Sequence, residues 1–336
     1  MRGFQYGQAM TKTAVAKTPV SKQSDQAGQY SQRVALATCA DVGGFTVDDK
    51  ALVPALASRA IEAVPAVWND PSIDWDSFDL VVVRSTWDYS TQREEYAQWT
   101  RRVPRLANSA EVIEWSMDRR YMREMERVGI PVIDTIWLDP QAHLSKRAVH
   151  YRMPAFGDFV VKPIDTVGAR DVGRYQPISA ASRAQAISHA MRLLDAGRWV
   201  MIQPYMTQID ELGETCLIFI NGQFQHAIRR NGLLGSTHRE TVGLGLYNNK
   251  KVQAVEPTDQ QLDVAQRALD FAVKATGAAQ PFLYARVDVA PGPTGPLVME
   301  LELNEPGLWM KYSENNATAE HFADAIAAQV SAAQAD

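Results

Sequence analysis

The 336-residue sequence is poor in cysteine, since Cys39 and Cys216 are its two thiols and no CxxC spacing is present. A disulfide framework and a cysteine-based zinc site are therefore not expected. No apolar run approaches the roughly 18 residues that a membrane-spanning helix needs, and the N-terminus lacks the apolar segment of a signal peptide. A basic surplus is also missing: the net charge is −5, so no broad nucleic-acid surface is expected. These absences predict a cytoplasmic globular protein with neither membrane nor nucleic acid as a partner.

The N-terminal third changes from a polar segment to an α/β pattern. Residues 1–32 carry few large aliphatic side chains, so they predict a disordered tail, with an arm packed on a partner subunit as the alternative. Apolar runs at residues 34–38, 64–68 and 80–83 predict strands buried on both faces, and the spacing in residues 48–63 predicts a helix between the first two. Strand, helix and strand in this order indicate an α/β lobe.

The rest of the chain alternates between helices, strands and loops without an internal repeat. Asn221-Gly222 lies between two apolar runs and is the strongest short hairpin signal in the chain. The Gly- and Asn-rich residues 231–251 predict a long loop. Further helices are predicted at residues 92–103, 117–128, 179–195, 259–275 and from about Ala317, and further strands at residues 133–138, 159–162, 199–203, 216–220, 223–229, 283–289 and 297–303.

Acidic and amide side chains near the C-terminus are the sharpest chemical signal. Alternate residues of a strand share a face, so Arg286 points the same way as Asp288, and Glu300 the same way as Glu302 and Asn304. Carboxylates side by side in a sheet repel one another, and a divalent cation such as Mg²⁺ removes that cost. The alternative is an exposed sheet face, which is less favoured because Leu301 and Leu303 put the opposite face in the core.

Three weaker signals lie elsewhere in the chain. Lys162 ends an apolar strand and precedes a glycine-containing loop, where its ammonium and the loop N–H groups could bind phosphate. Paired arginines at Arg229 and Arg230 could clamp a triphosphate. For both Lys162 and the arginine pair, the alternative is a solvated strand edge without a binding role. The segment 84–89 lies at the C-terminal end of a buried strand, which is where α/β sheets bind ligands. The alternative is a packed turn without a binding role.

Taken in order, these features resemble the ATP-grasp superfamily, and most closely its glutathione-synthetase-like branch. The stretch GETCLIFINGQFQHAIRR is similar to the hairpin of that branch, and ELELNEP is similar to its metal-binding strand. VVRSTWDYS, near the N-terminus, resembles the group that contains the cycloserine-forming ligase. The resemblance covers about residues 33–330. It implies a mixed α/β ATP-grasp fold with an N-terminal α/β lobe at 33–115 and two lobes that clasp ATP, a middle lobe at 116–203 and a C-terminal lobe with the metal site at 204–336.

The resemblance also implies roles for individual residues. The predicted metal ligands are Asp288, Glu302 and Asn304, and the cations around the transferred phosphoryl group are Arg230 and Arg286. The predicted nucleotide-binding residues are Arg119, Lys162, Gln203, Tyr205, Met206, Gln208 and Asp210. The predicted substrate-binding residues are Arg84, Trp87, Asp88 and Arg239. The position of the segment 84–89 at the end of a strand assigns Arg84 to the carboxylate and Asp88 to the ammonium of an amino acid, with Trp87 as a wall of the pocket. The sequence departs from the family in two respects: Arg119 stands where many members have lysine, and no glutamate for the ribose is evident, which leaves Gln208, Asp210 and Glu211 as candidates.

The resulting hypothesis is an ATP- and Mg²⁺-dependent ligase, with Mn²⁺ as a second option for the metal. It would convert a carboxyl group to an acyl phosphate and join it to nitrogen in a small amino-acid-like substrate, and ring closure of O-ureidoserine to cycloserine is one such reaction. The alternatives are an intermolecular amino-acid ligase, a phosphotransferase and a catalytically silent nucleotide-binding scaffold. Residues 231–249, with His238 and Arg239, are the candidate lid. The oligomeric state stays open, with a homodimer as one option.

Overall fold

The computed structural model describes residues 30–166, 170–230 and 252–333. The predictions of a disordered tail up to residue 29 and of a lid at 231–249, including Arg239, lie outside the described residues. Gln32, which was predicted as the end of the tail, already belongs to the first strand. No helix in the described part of the chain is long and apolar enough to cross a bilayer.

The first sheet is parallel and is buried on both faces. Its strands are β1 (Gln32–Thr38), β2 (Ile61–Val67), β3 (Leu80–Ser85) and β4 (Leu106–Ala107), in the order β2-β1-β3-β4. Helix α1 (Val47–Ala57) connects β1 to β2, helix α2 (Arg93–Arg102) connects β3 to β4, and helix α3 (Ala110–Ser116) follows β4. Alternate β1 residues enter two different apolar clusters, Val34 on one side and Ala35 on the other. The unbroken apolar runs in the sequence therefore predicted these strands correctly.

The boundary between α1 and β2 corrects one sequence prediction. The spacing in residues 48–63 predicted a single helix, but α1 ends at Ala57 and β2 begins at Ile61. Ala60 between them has φ 56°, which takes the backbone out of the helix. From Ile61 onward, seven residues pair with β1, beginning at Gln32. This long-range pairing decides between helix and strand for an apolar stretch whose local pattern is compatible with both.

The second sheet is antiparallel. Its strands are β5 (Ile136–Leu138), β6 (Phe159–Pro163), β7 (Gly173–Tyr175) and β8 (Val200–Pro204), in the order β5-β8-β6-β7. Helix α4 (Tyr121–Arg127) precedes it, and α5 (Lys146–Arg152) and α6 (Ala180–Asp195) pack on it around a separate apolar cluster. The sequence missed the short elements β7 and α5 and predicted α4 to start four residues earlier.

The third sheet carries the acidic strands. Its strands are β9 (Glu214–Ile220), β10 (Gln223–Arg230), β11 (Val252–Val255), β12 (Tyr284–Pro291) and β13 (Pro296–Glu302), in the order β11-β10-β9-β12-β13. Asn221 and Gly222 both have positive φ, so the predicted hairpin is confirmed. Helices α7 (Gln208–Leu212), α8 (Asp259–Thr276) and α9 (Ala317–Ala333) complete the fold. Helix α9 and one face of this sheet share an apolar cluster with β1 and α1, which joins the first and third sheets.

Candidate active site

Three carboxylates meet where β12 and β13 lie side by side. The register puts Asp288 opposite Glu300, and Arg286 opposite Glu302. Carboxylate oxygens of Asp288, Glu300 and Glu302 all lie within 4.8 Å of one another. Oxygen ligands of this kind suit a hard divalent cation, and a cation there would relieve the repulsion among the three acids. The residues present therefore fit a metal site.

Asn304, the third predicted metal ligand, is held differently. Its side-chain oxygen Oδ1 accepts a hydrogen bond of 2.7 Å from the Tyr96 hydroxyl, and its Nδ2 has no partner in the described part of the chain. Glu300, which the sequence did not single out as a ligand, is the third carboxylate of the cluster. The register against β12 brings it opposite Asp288, and the role of Asn304 as a metal ligand stays a prediction.

Two buried arginines lie next to the carboxylate cluster and form ion pairs with acids. Arg286 donates to both oxygens of Asp288 at 2.8 and 2.9 Å and to Glu302 at 2.5 Å. Arg230 donates to Asp288 at 3.0 Å and pairs with Glu214. All of these groups except Glu302 are at least nine-tenths buried. Charge of alternating sign allows this many ionic groups to be buried together.

The charges of this network move the pKa values of its acids in opposite directions. Burial raises the pKa of Glu302 to about 7, because the neighbouring Glu300 and Asp288 add to that effect and outweigh Arg286. Burial also acts to raise the pKa of Asp288, but Arg286 and Arg230 outweigh it and lower that pKa. The cluster thus contains one carboxyl group with a lowered pKa, Asp288, and one whose pKa is raised to about 7, Glu302.

Arg119, in the turn before α4, and Lys162, on β6 of the second sheet, approach the carboxylate cluster. Arg119 pairs with Glu300 and donates to the carbonyl oxygens of Ile164 and Thr166 at 3.0 and 2.7 Å. Lys162 has no side-chain hydrogen bond or ion pair within the described residues. Burial and the positive charge of Arg119 lower its pKa to about 8. The acidic strands and the predicted phosphate-binding cations therefore face one shared cleft.

The predicted adenine linker leaves β8 beside this cleft. Gln203 is buried and donates to the Thr135 hydroxyl at 2.8 Å. The Tyr205 backbone N–H donates to the carbonyl oxygen of Asp158 at 2.7 Å, and Met206 packs in a small apolar cluster. Of the ribose candidates on α7, Gln208 is exposed, whereas Asp210 pairs with the Tyr205 hydroxyl.

Arg84 is buried in an ion pair rather than exposed to a pocket. Its Nε donates to Asp49 at 3.0 Å, with both side chains about 2% exposed, and its Nη1 donates to the Pro306 carbonyl oxygen. This placement does not favour the predicted role in binding a substrate carboxylate. Asp88, the predicted partner of a substrate ammonium, accepts a hydrogen bond of 2.7 Å from Trp68 Nε1. Trp87 is half-buried, and its Nε1 donates to the Glu305 carbonyl oxygen at 3.4 Å.

The turn after β13 is fixed by the first lobe through Asp48, which sequence reasoning missed. The Asp48 carboxylate accepts from the backbone N–H groups of Leu308, Trp309 and Met310 at 2.8 to 2.9 Å. The Trp309 ring lies 5.0 Å from the guanidinium carbon of Arg286. No local signal could have indicated this contact, because an aspartate in the first turn of a helix is ordinary.

Comparisons with known proteins agree with this geometry. A sequence profile for the family described as D-cycloserine synthetase DcsG, N-terminal domain, matches residues 34–108. The cycloserine biosynthesis protein DcsG of Streptomyces lavendulae is 34% identical over 285 residues, which cover 82% of this chain and 91% of that protein. The crystal structure of D-cycloserine synthetase DcsG superposes with a TM-score of 0.78 at 32% identity, covering 89% of this chain and 99% of that one.

More distant structures share the fold alone. D-alanine–D-alanine ligase from Bacillus anthracis has a TM-score of 0.57 at 16% identity and covers 90% of this chain and 98% of its own. The RimK domain ATP-grasp protein from Sphaerobacter thermophilus has a TM-score of 0.58 at 16% identity, covering 89% and 99%. The predicted mixed α/β ATP-grasp fold is confirmed.

Proposed function

This chain belongs to the DcsG family and is an ATP-grasp ligase that uses ATP and a divalent metal, and we propose that it closes O-ureido-D-serine to D-cycloserine, with Mg²⁺ as the metal and Mn²⁺ as a substitute. The observation that carries the proposal is the cleft between Asp288, Glu300 and Glu302 on one side and Lys162 with Arg119 on the other. Phosphoryl transfer from a nucleotide requires acidic groups that bind a cation and, facing them, basic groups that bind the phosphate chain.

The proposed chemistry has two steps. The substrate carboxylate attacks the γ-phosphorus of ATP, which forms an acyl phosphate and releases ADP. The nitrogen of the O–NH group then attacks the acyl carbon, phosphate leaves, and the carbamoyl group is lost with one water as ammonia and carbon dioxide. Arg230 and Arg286 stabilise the charge on the phosphoryl oxygens in both steps. Asp288, Glu300 and Glu302 would hold a divalent cation, which would neutralise further phosphate charge when bound.

The remaining nucleotide contacts follow from the positions of the side chains. Lys162 and Arg119 bind phosphate oxygens, and Gln203, Tyr205 and Met206 border the adenine. Gln208 is the better ribose candidate, because Asp210 already pairs with Tyr205 and lies 3.6 Å from Arg174. In keeping with the three sheets, we retain lobes at 33–115, 116–203 and 204–336 as part of the proposal.

The test is an ADP-release assay with O-ureido-D-serine, Mg²⁺ and ATP, followed by mass spectrometry of the product. We expect one ADP and one phosphate per cycloserine formed. A linear dipeptide-type product would favour an intermolecular amino-acid ligase, and a phosphorylated product without free phosphate would favour a phosphotransferase. ATP binding with no ADP release from any amino acid or ureido-amino acid would contradict the proposed function.

The lowered pKa of Lys162 predicts a pH dependence of nucleotide binding. A lysine with a pKa of about 8 loses its positive charge as the pH rises, so the dissociation constant for ATP should increase about fivefold from about pH 8 to about pH 9. Lys162→Arg is the matched control, because arginine stays protonated over this range and its profile should be flat. Calorimetric titrations at several pH values measure both. Equal slopes for the two proteins would contradict a phosphate contact by Lys162.

A further inference from the structure

A mostly buried carboxyl group follows the carboxylate cluster along the chain. Glu305 is 7% exposed, and within residues 30–166, 170–230 and 252–333 its carboxyl group has no hydrogen bond or ion pair. The preceding Asn304, by contrast, has the hydroxyl groups of Tyr96 and Tyr89 next to its amide. Buried polar groups are nearly always paired in folded proteins, because removing them from water is costly. A mostly buried carboxyl group without a protein partner therefore points to a ligand that supplies one.

The backbone that carries these side chains is held from several directions. The Asn304 carbonyl oxygen accepts from the Tyr284 hydroxyl at 2.8 Å, the Glu305 carbonyl oxygen accepts from Trp87 Nε1, and the Pro306 carbonyl oxygen accepts from Arg84 Nη1. Both lobes thus fix the turn. The Glu305 side chain on this turn is therefore positioned in advance rather than left to adjust, which is what precise recognition of a ligand needs.

The surroundings of Glu305 locate it between the carboxylate cluster and the first lobe. It interacts electrostatically with Glu302 and Arg286 on one side, and with Tyr89 and Tyr96 of the first lobe on the other. The group of oxygens that could hold a metal consists of Asp288, Glu300 and Glu302 and does not include Glu305. Glu305 is therefore an additional acid beside the phosphoryl-transfer site.

The chemistry of an α-amino acid matches this position. Its ammonium is one carbon away from the carboxyl group, so the residue that binds the ammonium must lie close to where that carboxyl is phosphorylated. Glu305 follows Glu302 by three residues, a span of at most about 11 Å. A buried carboxylate and a cationic nitrogen form a short, charge-assisted hydrogen bond. Asp88, the other acid considered for this role, already accepts from Trp68.

We infer that Glu305 binds the α-ammonium of the amino-acid substrate. The ammonium takes no part in ring closure, so Glu305 acts in recognition and in orienting the carboxyl group toward ATP. The inference rests on the proposed function to the extent that the substrate is an α-amino acid.

The test compares Glu305→Gln with the wild type on O-ureido-D-serine and on its analogue with hydrogen in place of the ammonium. The wild type should prefer the amino compound about 100-fold in kcat/KM, and the variant should lose most of that preference through KM, since a charge-assisted pair is worth about this factor. The dissociation constants for ATP and Mn²⁺ should stay within about twofold. Glu305→Asp should keep the preference, and Glu314→Gln, an exposed carboxylate on the following segment, should behave as wild type.

The outcomes separate this inference from the proposed function. A Glu305→Gln protein that turns over O-ureido-D-serine with the wild-type preference for the ammonium would overturn the inference and leave the reaction standing. If the wild type closes no ring, the same preference is measured by calorimetric titration of D-serine and D-glycerate in the presence of a non-hydrolysable ATP analogue. The wild type should bind D-serine more tightly than D-glycerate, and Glu305→Gln should bind the two with similar affinity. Equal binding of the two, or binding of neither, would refute the ammonium site.

Discussion

Glu302→Gln should lower the kcat of ADP release by about 10³-fold, the scale expected when a charge-stabilising group of a phosphoryl-transfer site is removed. Glutamine has nearly the same shape and can still accept from Arg286, which keeps its double contact with Asp288. The fold should therefore survive, and the loss should fall on metal binding and turnover. ADP release, Mn²⁺ titration and thermal unfolding measure the three effects separately.

The pH dependence of metal binding gives this prediction a second readout. Because the pKa of Glu302 is raised to about 7, a proton competes with the cation below that pH. The apparent Mn²⁺ affinity of the wild type should rise up to about tenfold per pH unit until about pH 7 and then level off. Glu302→Gln should have lost that rise, whereas Glu314→Gln should retain it. Unchanged Mn²⁺ binding in Glu302→Gln would remove this residue from the metal site.

Arg84→Met should destabilise the protein by about 3–5 kcal/mol, because it leaves the Asp49 carboxylate buried without its cation. The two side chains are each about 2% exposed, and Arg84 also supports the Pro306 carbonyl oxygen across the lobe boundary. Chemical denaturation measures the change. Adding Asp49→Asn should recover part of the loss, since it removes the stranded charge.

Arg101→Met is the matched control for this experiment. Arg101 pairs with Glu114 in the same lobe, but its side chain is 64% exposed, so its loss should leave the free energy of unfolding nearly unchanged. The sequence-based role of Arg84 in substrate binding makes the opposite prediction. It would leave the free energy of unfolding nearly unchanged and raise the KM for the amino-acid substrate.

Sequence reasoning worked best where one short stretch contains the whole signal. The Asn221-Gly222 hairpin needs two residues that tolerate positive φ, and the alternating acids of β13 need a period of two. Lys162 at the end of an apolar strand was found for the same reason. In each case the physical requirement extends over a few neighbouring residues, so the sequence displays it directly.

Sequence reasoning was least informative where a partner lies far along the chain. Residues 61–63 were predicted as helix, and that prediction was wrong because pairing with β1 makes them strand. Arg84 stands at the expected strand end, and the structure adds Asp49, 35 positions away, as its ionic partner. The β12–β13 register brings Glu300 opposite Asp288, which the alternation within β13 does not indicate.

By itself, the sequence of this protein determined the strand and hairpin patterns, the acidic face of β13 and the basic residues that oppose it, because backbone periodicity and turn chemistry act between neighbours. The tertiary structure alone decided which acids cluster, which arginines are already neutralised, and that the Glu305 carboxyl group is mostly buried. Burial and charge pairing depend on distances in space between residues that are remote in the chain, and no local pattern encodes those distances.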